Sequence, residues 1–544
     1  MEKVRIQDDL YEYVNGETLE KLVIPDDRPV AGGFSQLDED VEKIMMKEFD
    51  DFANGKNTTD IKEVKEAVKL YQKVLNVDRR NKEGITPVLP LLEKIKGMKN
   101  VKDLNALAKE FLFSGVALPF NMDVSDDMND ATKHALVILG PSIILPDTSY
   151  YDEANPVYCQ LIGLYSAMAS QVLAYAPLTK EEQELFLKDT LEIDKLISKA
   201  VKSRVEWANY VDCNNPIKLD EACEYLKPFD FKGLLKDLYG DRLPEEVVAY
   251  DLRAIKEFKT YFNDELFPKY VHWCYVKSLL TATETLSVEL KSLGGMFRRA
   301  LMGVASDPKI EKQAYQVASS AFSEPVGVYY GRKYFGEEAK ADVVNLVKKI
   351  IETYKLRVSK NAFLKEATKE KAIKKLSTIE IKMGYPDKVN KIYALMKVNE
   401  EDSYYEAMLK LAKIRVEDSF NDLFKPVDRT KWLMPGHMVN ACYNPSANDI
   451  TFPAAILQKP FYSINQTVSE NLGGIGAVIG HEISHAFDNN GAHFDENGNM
   501  KNWWTEEDFK AFDALTKDMI VQYDGIEFHG GKVNGELVVS ENIA

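Results

Sequence analysis

The chain has 544 residues, which is too long for one hydrophobic core, so at least two domains are expected. A composition of 45% hydrophobic and 28% charged residues excludes an intrinsically disordered protein. The formal net charge of −17 argues against a nucleic-acid partner, because the phosphates would be repelled.

The sequence predicts no membrane-spanning segment. No stretch reaches the roughly 18 apolar residues of a transmembrane helix, and the N-terminal sequence has no basic segment followed by an apolar one. The five cysteines are far apart and none forms a CxxC pair: Cys159, Cys213, Cys223, Cys274 and Cys442. This usage is typical of a reducing compartment. We therefore expect a cytoplasmic protein, and the alternative is a protein at the cell surface or secreted without a signal peptide.

Turn-forming residues dominate the first segment, with "VNGE" and "IPDDRPVAGG", and predict an extended N-terminal arm over residues 1–33 that packs on the catalytic domain. From Phe34 onward, apolar residues recur at i, i+3, i+4 and i+7, which predicts helices. The clearest examples are "QLDEDVEKIMMKEFDDFA", "IKEVKEAVKLYQKVL", "TKEEQELFLKDTLEIDKLISKAVKS", "ADVVNLVKKIIETYKLRV" and "KEATKEKAIKKLSTI". We predict a helical domain over residues 34–385.

The pattern changes near "MGYPDKV", and a mixed α/β domain is expected over residues 386–544. A helix, "EDSYYEAMLKLAKIRVEDSF", comes first. The stretch "HMVNACYNPSANDITFPAAIL" alternates in polarity and predicts two strands joined by the Asn-Pro-Ser-Ala-Asn turn. The apolar, glycine-rich "SENLGGIGAVIGHEISHAFDNN" that follows predicts a buried helix.

The segment "HEISH" is the strongest chemical signal in the chain. His481 and His485 are four residues apart, which on a helix places both imidazoles on one face, one turn apart. That spacing suits two nitrogen ligands of a single zinc ion. Glu482 follows His481, where its carboxylate could reach a water molecule on the metal without being a ligand. We expect one zinc ion per chain.

A catalytic zinc site uses three protein ligands, so the two histidines need a third. The downstream candidates are Asp488, His493, Asp495, Glu527, His529, Glu536 and Glu541. His493 lies in the polar stretch "GAHFDENGN" and is better explained as a surface or turn histidine. Glu541 is preferred, because Ser540 is a suitable helix N-cap and a helix that starts there would carry Glu541 toward the histidines.

Together with other segments in order along the chain, these motifs resemble the neprilysin family of zinc endopeptidases. The segments are "NACY", "ITFPAAILQKPFY", "GGIGAVIGHEISHAFDNNG", "FDENGNMKNWWT" and "SENIA", and, upstream, "DDLYEYVNG", "GVYYGRKYF" and "FLKEATKEKAIKKLSTIEIKMGYPD". Without an anchor or disulfides, the chain is similar to the bacterial oligopeptidases called endopeptidase O. The resemblance implies a mostly α fold. A large all-helical lid domain and a thermolysin-like α/β zinc peptidase domain would enclose a central cavity.

The resemblance also implies roles for single residues. His481, His485 and Glu541 would be the zinc ligands, Glu482 the catalytic base, and Asp488 would orient a ligand histidine. The substrate backbone would bind as an added strand along Asn440 and Ala441. Three apolar residues match a pocket for the residue after the scissile bond: Ile456, Phe461 and Val478. Core packing is the alternative for these three, and Ala477 replaces a larger side chain, which leaves the pocket size open.

The family pattern at the third ligand is E-x-x-x-D, and this sequence stops at Ala544, one residue before the aspartate. The resemblance implies a further C-terminal segment, which as a separate piece would be a partner of this one. A ligand so near a free end is poorly held by its helix. We therefore expect the 544-residue piece alone to have weak or no activity, which its zinc content and peptide cleavage would test.

The function implied is that of a zinc-dependent endopeptidase. It would cut short peptides on the amino side of hydrophobic residues, through water that Glu482 activates. One alternative is a catalytically silent, adhesin-like binding protein on a peptidase scaffold, but an intact "HEISH" argues against it. Another is an aminopeptidase, for which no "GxMEN"-type exopeptidase sequence is present.

Overall fold

The computed structural model describes residues 4–528 and 530–544, and these form a mainly helical molecule, as predicted. The α-helices among the described residues are α1 (Leu10–Lys21), α2 (Gly33–Ala53), α3 (Lys62–Leu75), α4 (Val77–Glu83), α5 (Leu89–Lys96), α6 (Val101–Ser114), α7 (Tyr158–Leu173), α8 (Lys180–Ala200), α9 (Arg204–Ala208), α10 (Leu219–Tyr225), α11 (Phe231–Tyr239), α12 (Leu252–Lys256), α13 (Phe258–Tyr261), α14 (Phe267–Ala282), α15 (Val288–Gly294), α16 (Met296–Met302), α17 (Ile310–Ala321), α18 (Ser323–Tyr334), α19 (Gly336–Ser359), α20 (Glu366–Ser377), α21 (Tyr404–Phe420), α22 (Val468–Gly473), α23 (Ile475–Ser484), α24 (Glu506–Tyr523) and α25 (Gly535–Ile543).

The strands of the described residues are short. They are β1 (Asn121–Asp126), β2 (His134–Leu139), β3 (Pro216–Lys218), β4 (Glu246–Ala249), β5 (Glu380–Gly384), β6 (Cys442–Asn444), β7 (Asp449–Pro453), β8 (Glu527–Phe528) and β9 (Gly531–Lys532). They form sheets in the orders β1-β2-β4-β3, β5-β7-β6 and β8-β9.

The segments with a helical period form α2, α3, α8, α19, α20 and α21, so these predictions are confirmed. Side-chain caps define several of their starts. Thr179 and Ser403 each accept a hydrogen bond from a backbone N–H three residues on, and the glutamate at that position bonds back, which starts α8 and α21.

The prediction of an extended N-terminal arm is wrong for residues 10–21, which form α1. The carboxylate of Asp9 caps this helix by accepting from the N–H of Glu12 at 2.8 Å. Because this cap satisfies a free donor of the first turn, it offsets the turn preference of Asn15 and Gly16. The first three residues lie outside the described part of the chain.

The helical region also contains a four-stranded sheet, which the sequence analysis missed. In it β1 and β2 are antiparallel, β2 and β4 are parallel, and β3 and β4 are antiparallel. Strands of three to six residues carry too few positions for a period of two to be visible beside long helices. The hydrophobic cluster of this region runs from Val88 to Leu290 and adds Phe420 and Leu423.

A separate hydrophobic cluster surrounds the histidine motif and crosses the predicted boundary near residue 385. Val343 and Val347 of α19 pack in one cluster with Ile450 of β7 and with Ile479 and Ile483 of α23. In addition, β5 pairs in parallel with β7. Packing therefore joins residues 336–384 to the site, although they precede the boundary expected from composition.

The predicted strand pair is present, as β6 and β7. These strands are antiparallel, with Cys442 opposite Thr451 and Asn444 opposite Asp449. Asn448 closes the connection at a φ of +48°, a left-handed conformation that asparagine tolerates better than most residues. The hairpin is thus set by the local sequence.

Two further expectations concern membranes and disulfides. None of the described helices is both long and apolar enough to cross a membrane. All five cysteines are free thiols, and Cys213 and Cys274 are buried.

Candidate active site

The two histidines lie at the end of a short helix, not within one long helix. The predicted helix is broken at Gly474, which separates α22 from α23. A Cβ at Gly474 would lie 2.3 Å from the carbonyl oxygen of Phe461, so the close approach requires glycine. The N–H of Ile475 donates to that same carbonyl at 2.7 Å. His481 lies in α23, His485 caps its C-terminus, and their Nε2 atoms are 3.0 Å apart.

Glu541, which is distant from the histidines in sequence, lies close to both of them in the structure. Its Oε2 lies 3.2 Å from Nε2 of His481 and 3.8 Å from Nε2 of His485. The helix that carries it, α25, begins earlier than expected. Asn534, not Ser540, is the N-cap and accepts from the N–H of Leu537 at 2.9 Å. Glu541 therefore lies in the last turn of its helix.

The three side chains fit a zinc ion. Ligand atoms at about 2.0–2.1 Å from a tetrahedral ion are about 3.3–3.4 Å from one another, close to the separations of 3.0, 3.2 and 3.8 Å. Two imidazole nitrogens and a carboxylate oxygen are a usual catalytic zinc donor set. Among the described residues, they are the one group of histidine, cysteine and acidic ligands that converges within 4.8 Å.

Asp488 is hydrogen-bonded to His485. Its Oδ2 accepts a hydrogen bond from Nδ1 of His485 at 2.7 Å, and its Oδ1 accepts from the N–H groups of Asn490 and Gly491. A neutral imidazole that donates from Nδ1 has its lone pair on Nε2, which faces Glu541. Burial opposes the charged form, but the hydrogen bond to Asp488 raises the pKa of His485.

Glu482 lies beside this group with its side chain turned inward, at 6% exposure. Burial raises the pKa of Glu482 to about 7, against the attraction of His485 and a backbone hydrogen bond from Tyr443. His481 differs, because burial and the neighbouring His485 lower its pKa. The carboxylate thus lies between the histidines and strand β6.

Strand β6 is the edge strand of its sheet, since only β7 pairs with it among the described residues. Asn440 and Ala441 directly precede β6, and the Asn440 side chain accepts from the N–H of Ala441 at 2.9 Å. An open edge offers backbone N–H and C=O groups to an extended peptide. The predicted substrate-binding pair therefore begins a free strand edge next to Glu482.

The three predicted pocket residues are not equivalent. Phe461 and Val478 are partly buried at the surface of the hydrophobic cluster, whereas Ile456 is 1% exposed and lies within it. Ile456 thus fits the core alternative. The sequence analysis missed Phe34 at the start of α2, which stacks on Phe461 with 4.6 Å between ring centroids. Its only sequence signal is an aromatic residue directly after two glycines.

The other candidate ligands lie away from this group. His493 packs its ring against Phe509 at 5.3 Å, and Asp495 accepts from the N–H groups of Asn497 and Asn499. Glu527 and Glu536 are exposed. His529 lies outside the described residues.

A buried glutamate beside two histidines and a carboxylate that fit zinc defines a metallopeptidase site. Family models described as "Peptidase family M13" match residues 6–386 and 440–544. The neutral endopeptidase of Lactobacillus helveticus is 41% identical over 539 residues, which cover 99% of this chain and 83% of that protein. Neprilysin of Homo sapiens is 27% identical over 581 residues, covering 98% and 76%. The crystal structure of PEPO from Lactobacillus rhamnosis HN001 has a TM-score of 0.94 at 35% identity, covering 99% and 85%.

The chain belongs to peptidase family M13. It is a zinc metalloendopeptidase of the neprilysin-like class, so the predicted family, fold class and enzyme class are confirmed.

Proposed function

We propose that this enzyme hydrolyses short peptides on the amino side of hydrophobic residues, with Glu482 as the group that moves the proton. The observation that carries the proposal is the position of the Glu482 carboxylate, which is buried between the ligand group and the edge strand β6. The roles of the single residues below are part of the proposal.

His481, His485 and Glu541 would hold one zinc ion, which when bound supplies Lewis acidity to a peptide carbonyl and to water. Glu482 accepts a proton from the attacking water and delivers it to the leaving amine. A carboxyl group whose pKa burial has raised to about 7 is suited to both tasks near neutral pH. Asp488 keeps His485 in the tautomer that directs Nε2 into the ligand group.

The free edge of β6 supports a proposal for how the substrate backbone binds. An extended peptide that pairs with this edge places its backbone along Asn440 and Ala441 and its scissile bond near Glu482. The side chain after that bond would contact Phe461, Val478 and Phe34, which are all apolar. An apolar wall gains free energy from burying apolar surface, which supports a preference for hydrophobic residues there.

The Glu482→Gln variant tests the proposal. Gln keeps the size of Glu but cannot accept the proton, so turnover should fall about 10²–10⁴-fold, while zinc content and peptide binding stay at the parent level. Glu527→Gln, at an exposed site in β8, is the matched control and should keep its turnover. Unchanged peptide turnover in Glu482→Gln would contradict the proposed role, and a variant that loses none of the parent's properties would favour a silent binding protein.

We also propose a cytoplasmic location, which five free thiols support. Recovery of the protein mainly from the culture medium of intact cells would contradict it.

A further inference from the structure

Helix α25, which carries Glu541, is attached to its surroundings at both ends. At its start, the N–H of Gly535 donates to the Asp524 side chain at 3.0 Å, and a Cβ on Gly535 would lie 2.1 Å from the carbonyl oxygen of Ile520. This contact holds the helix against α24. Near its end, the hydroxyl of Ser540 donates to Oδ2 of Asp488 at 2.5 Å. That second contact points toward the histidines.

The Ser540 hydrogen bond reaches the same oxygen that orients His485. Oδ2 of Asp488 accepts from both Ser540 and His485 Nδ1, while Oδ1 accepts two backbone N–H groups. At 2% exposure, Asp488 has little access to water, so these four donors satisfy its carboxylate. A hydrogen bond to an ionised carboxylate is stronger than one between neutral groups.

Glu541 has no comparable support of its own. Its side chain is 67% exposed, and its contacts among the described residues are with the two histidines. Apart from the contacts of Glu541 itself with the histidines, the Ser540 bond is the one side-chain hydrogen bond in the described part of the chain that joins α25 to the histidine helix or to the turn after it. The position of Glu541 relative to His485 therefore depends on the residue immediately before it.

We propose that Ser540 is a positioning residue. Its hydroxyl, acting through Asp488, sets the distance between the third zinc ligand and His485. Ser540 precedes Glu541, so one hydrogen bond ties the backbone of the third ligand to the carboxylate that orients the second. The inference rests on the proposed zinc ligands and extends them to a residue that does not touch the metal.

The test is the zinc affinity of the full chain, measured by competition with a chromophoric chelator. Ser540→Ala should weaken zinc binding about 10-fold, in the lower part of the range for lost ligand support. Ser540→Thr retains the hydroxyl and should restore the parent affinity. Ser377→Ala is the matched control, because this exposed helical serine bonds only to the carbonyl of Ile373. A Ser540→Ala affinity equal to the parent's, or no recovery in Ser540→Thr, would overturn the inference.

A double-mutant cycle tests the route through Asp488. In an Asp488→Ala background, Ser540→Ala should weaken zinc binding no further, because the acceptor is already absent. Two independent, additive losses would overturn the proposal. If Ser540→Ala does not fold, Ser540→Cys, a weak donor of similar size, takes its place and should also bind zinc less tightly than the parent.

Measurements of zinc binding distinguish a failure of this inference from a failure of the proposed function. If zinc binding by the parent does not depend on His481, the ligand assignment is wrong and the role of Ser540 falls with it. If His481→Ala abolishes binding while Ser540→Ala leaves it unchanged, only the role of Ser540 is wrong.

Discussion

At the scale of residues, the pKa values of two neighbouring side chains are both raised, but for different physical reasons. Burial raises the pKa of Glu482 to about 7, whereas the hydrogen bond to Asp488 raises the pKa of His485 against the effect of its burial. Glu482 and His485 are only three residues apart, so their spacing in the sequence does not explain why their pKa values are raised for different reasons. The difference arises from Asp488, which bonds to His485 and not to Glu482.

A second residue-scale prediction concerns Phe34. The Phe34→Ala variant removes one ring of the pair in which Phe34 stacks on Phe461. An aromatic pair contributes about 0.5–1.5 kcal/mol, so kcat/KM should fall about 2- to 10-fold for peptides with a large apolar residue after the scissile bond. Peptides with alanine there should be affected less. Phe363→Ala, at an exposed phenylalanine, is the control. An equal loss for both kinds of peptide would show that Phe34 does not contact the side chain after the scissile bond.

At the scale of elements, the turn after the histidines is held by a residue from α20. The ammonium of Lys375 donates to the carbonyl oxygens of Ala486, Gly491 and Phe494 at 2.7–2.8 Å. These carbonyls flank Asp488 along the chain, so α20 contacts the segment that carries the hydrogen-bond partner of His485. A buried cation with three carbonyl acceptors gives this irregular segment a defined conformation without regular secondary structure.

The Lys375→Met variant tests this support. Methionine fills similar space but leaves the buried carbonyls of Ala486 and Phe494 without this donor, each of which costs about 1–3 kcal/mol, whereas the carbonyl of Gly491 still accepts the N–H of Phe494. The free energy of unfolding should fall by about 2 kcal/mol or more in urea titrations, and zinc affinity should fall as well. Lys371→Met, at an exposed position one turn earlier in α20, serves as the control. A loss in Lys375→Met no greater than in Lys371→Met would show that the turn does not need the ammonium.

At the scale of the whole molecule, the helical domain contacts loops that belong to the site. The N–H of Ala131 donates to the Asn499 side chain at 2.9 Å, and Ser446 donates to Asp126 at 3.1 Å. Farther along, Asn490 donates to the carbonyl of Ala208 at 3.0 Å. Because these bonds bridge the two parts of the molecule, we expect them to limit the access of a large substrate to the histidines.

Substrate size is therefore the expected readout of these contacts. The parent enzyme should cut a peptide of about ten residues far faster than casein, because a short extended peptide can pair with the free edge of β6. Asn499→Ala removes one bridging hydrogen bond of about 1 kcal/mol, so the casein rate relative to the peptide rate should rise about fivefold. Asn497→Ala, exposed in the same loop, should leave the ratio unchanged. Equal parent rates on casein and peptide would argue against size selection.

Local patterns predicted much of the site. The HEISH spacing places two imidazoles on one helical face, because a helix repeats every 3.6 residues, and the hairpin of β6 and β7 follows from alternation around a turn. Glu541 also came from the sequence, although the reason given was partly wrong, since Asn534 caps its helix. The histidine spacing and the hairpin depend on residues within a few positions of each other, which the sequence itself displays.

Long-range packing decided the rest. Phe34 stacks on Phe461, Lys375 holds the turn beyond the histidines, and Ser540 reaches Asp488. The same packing joins α19, α20 and β5 to the site across a boundary expected near residue 385. No local period encodes these pairs, because each exists only after elements distant in sequence have buried their apolar faces together. The sequence by itself therefore predicted the ligand types and the chemistry, whereas the tertiary structure decided which residues contact the proposed ligands and the segments that carry them.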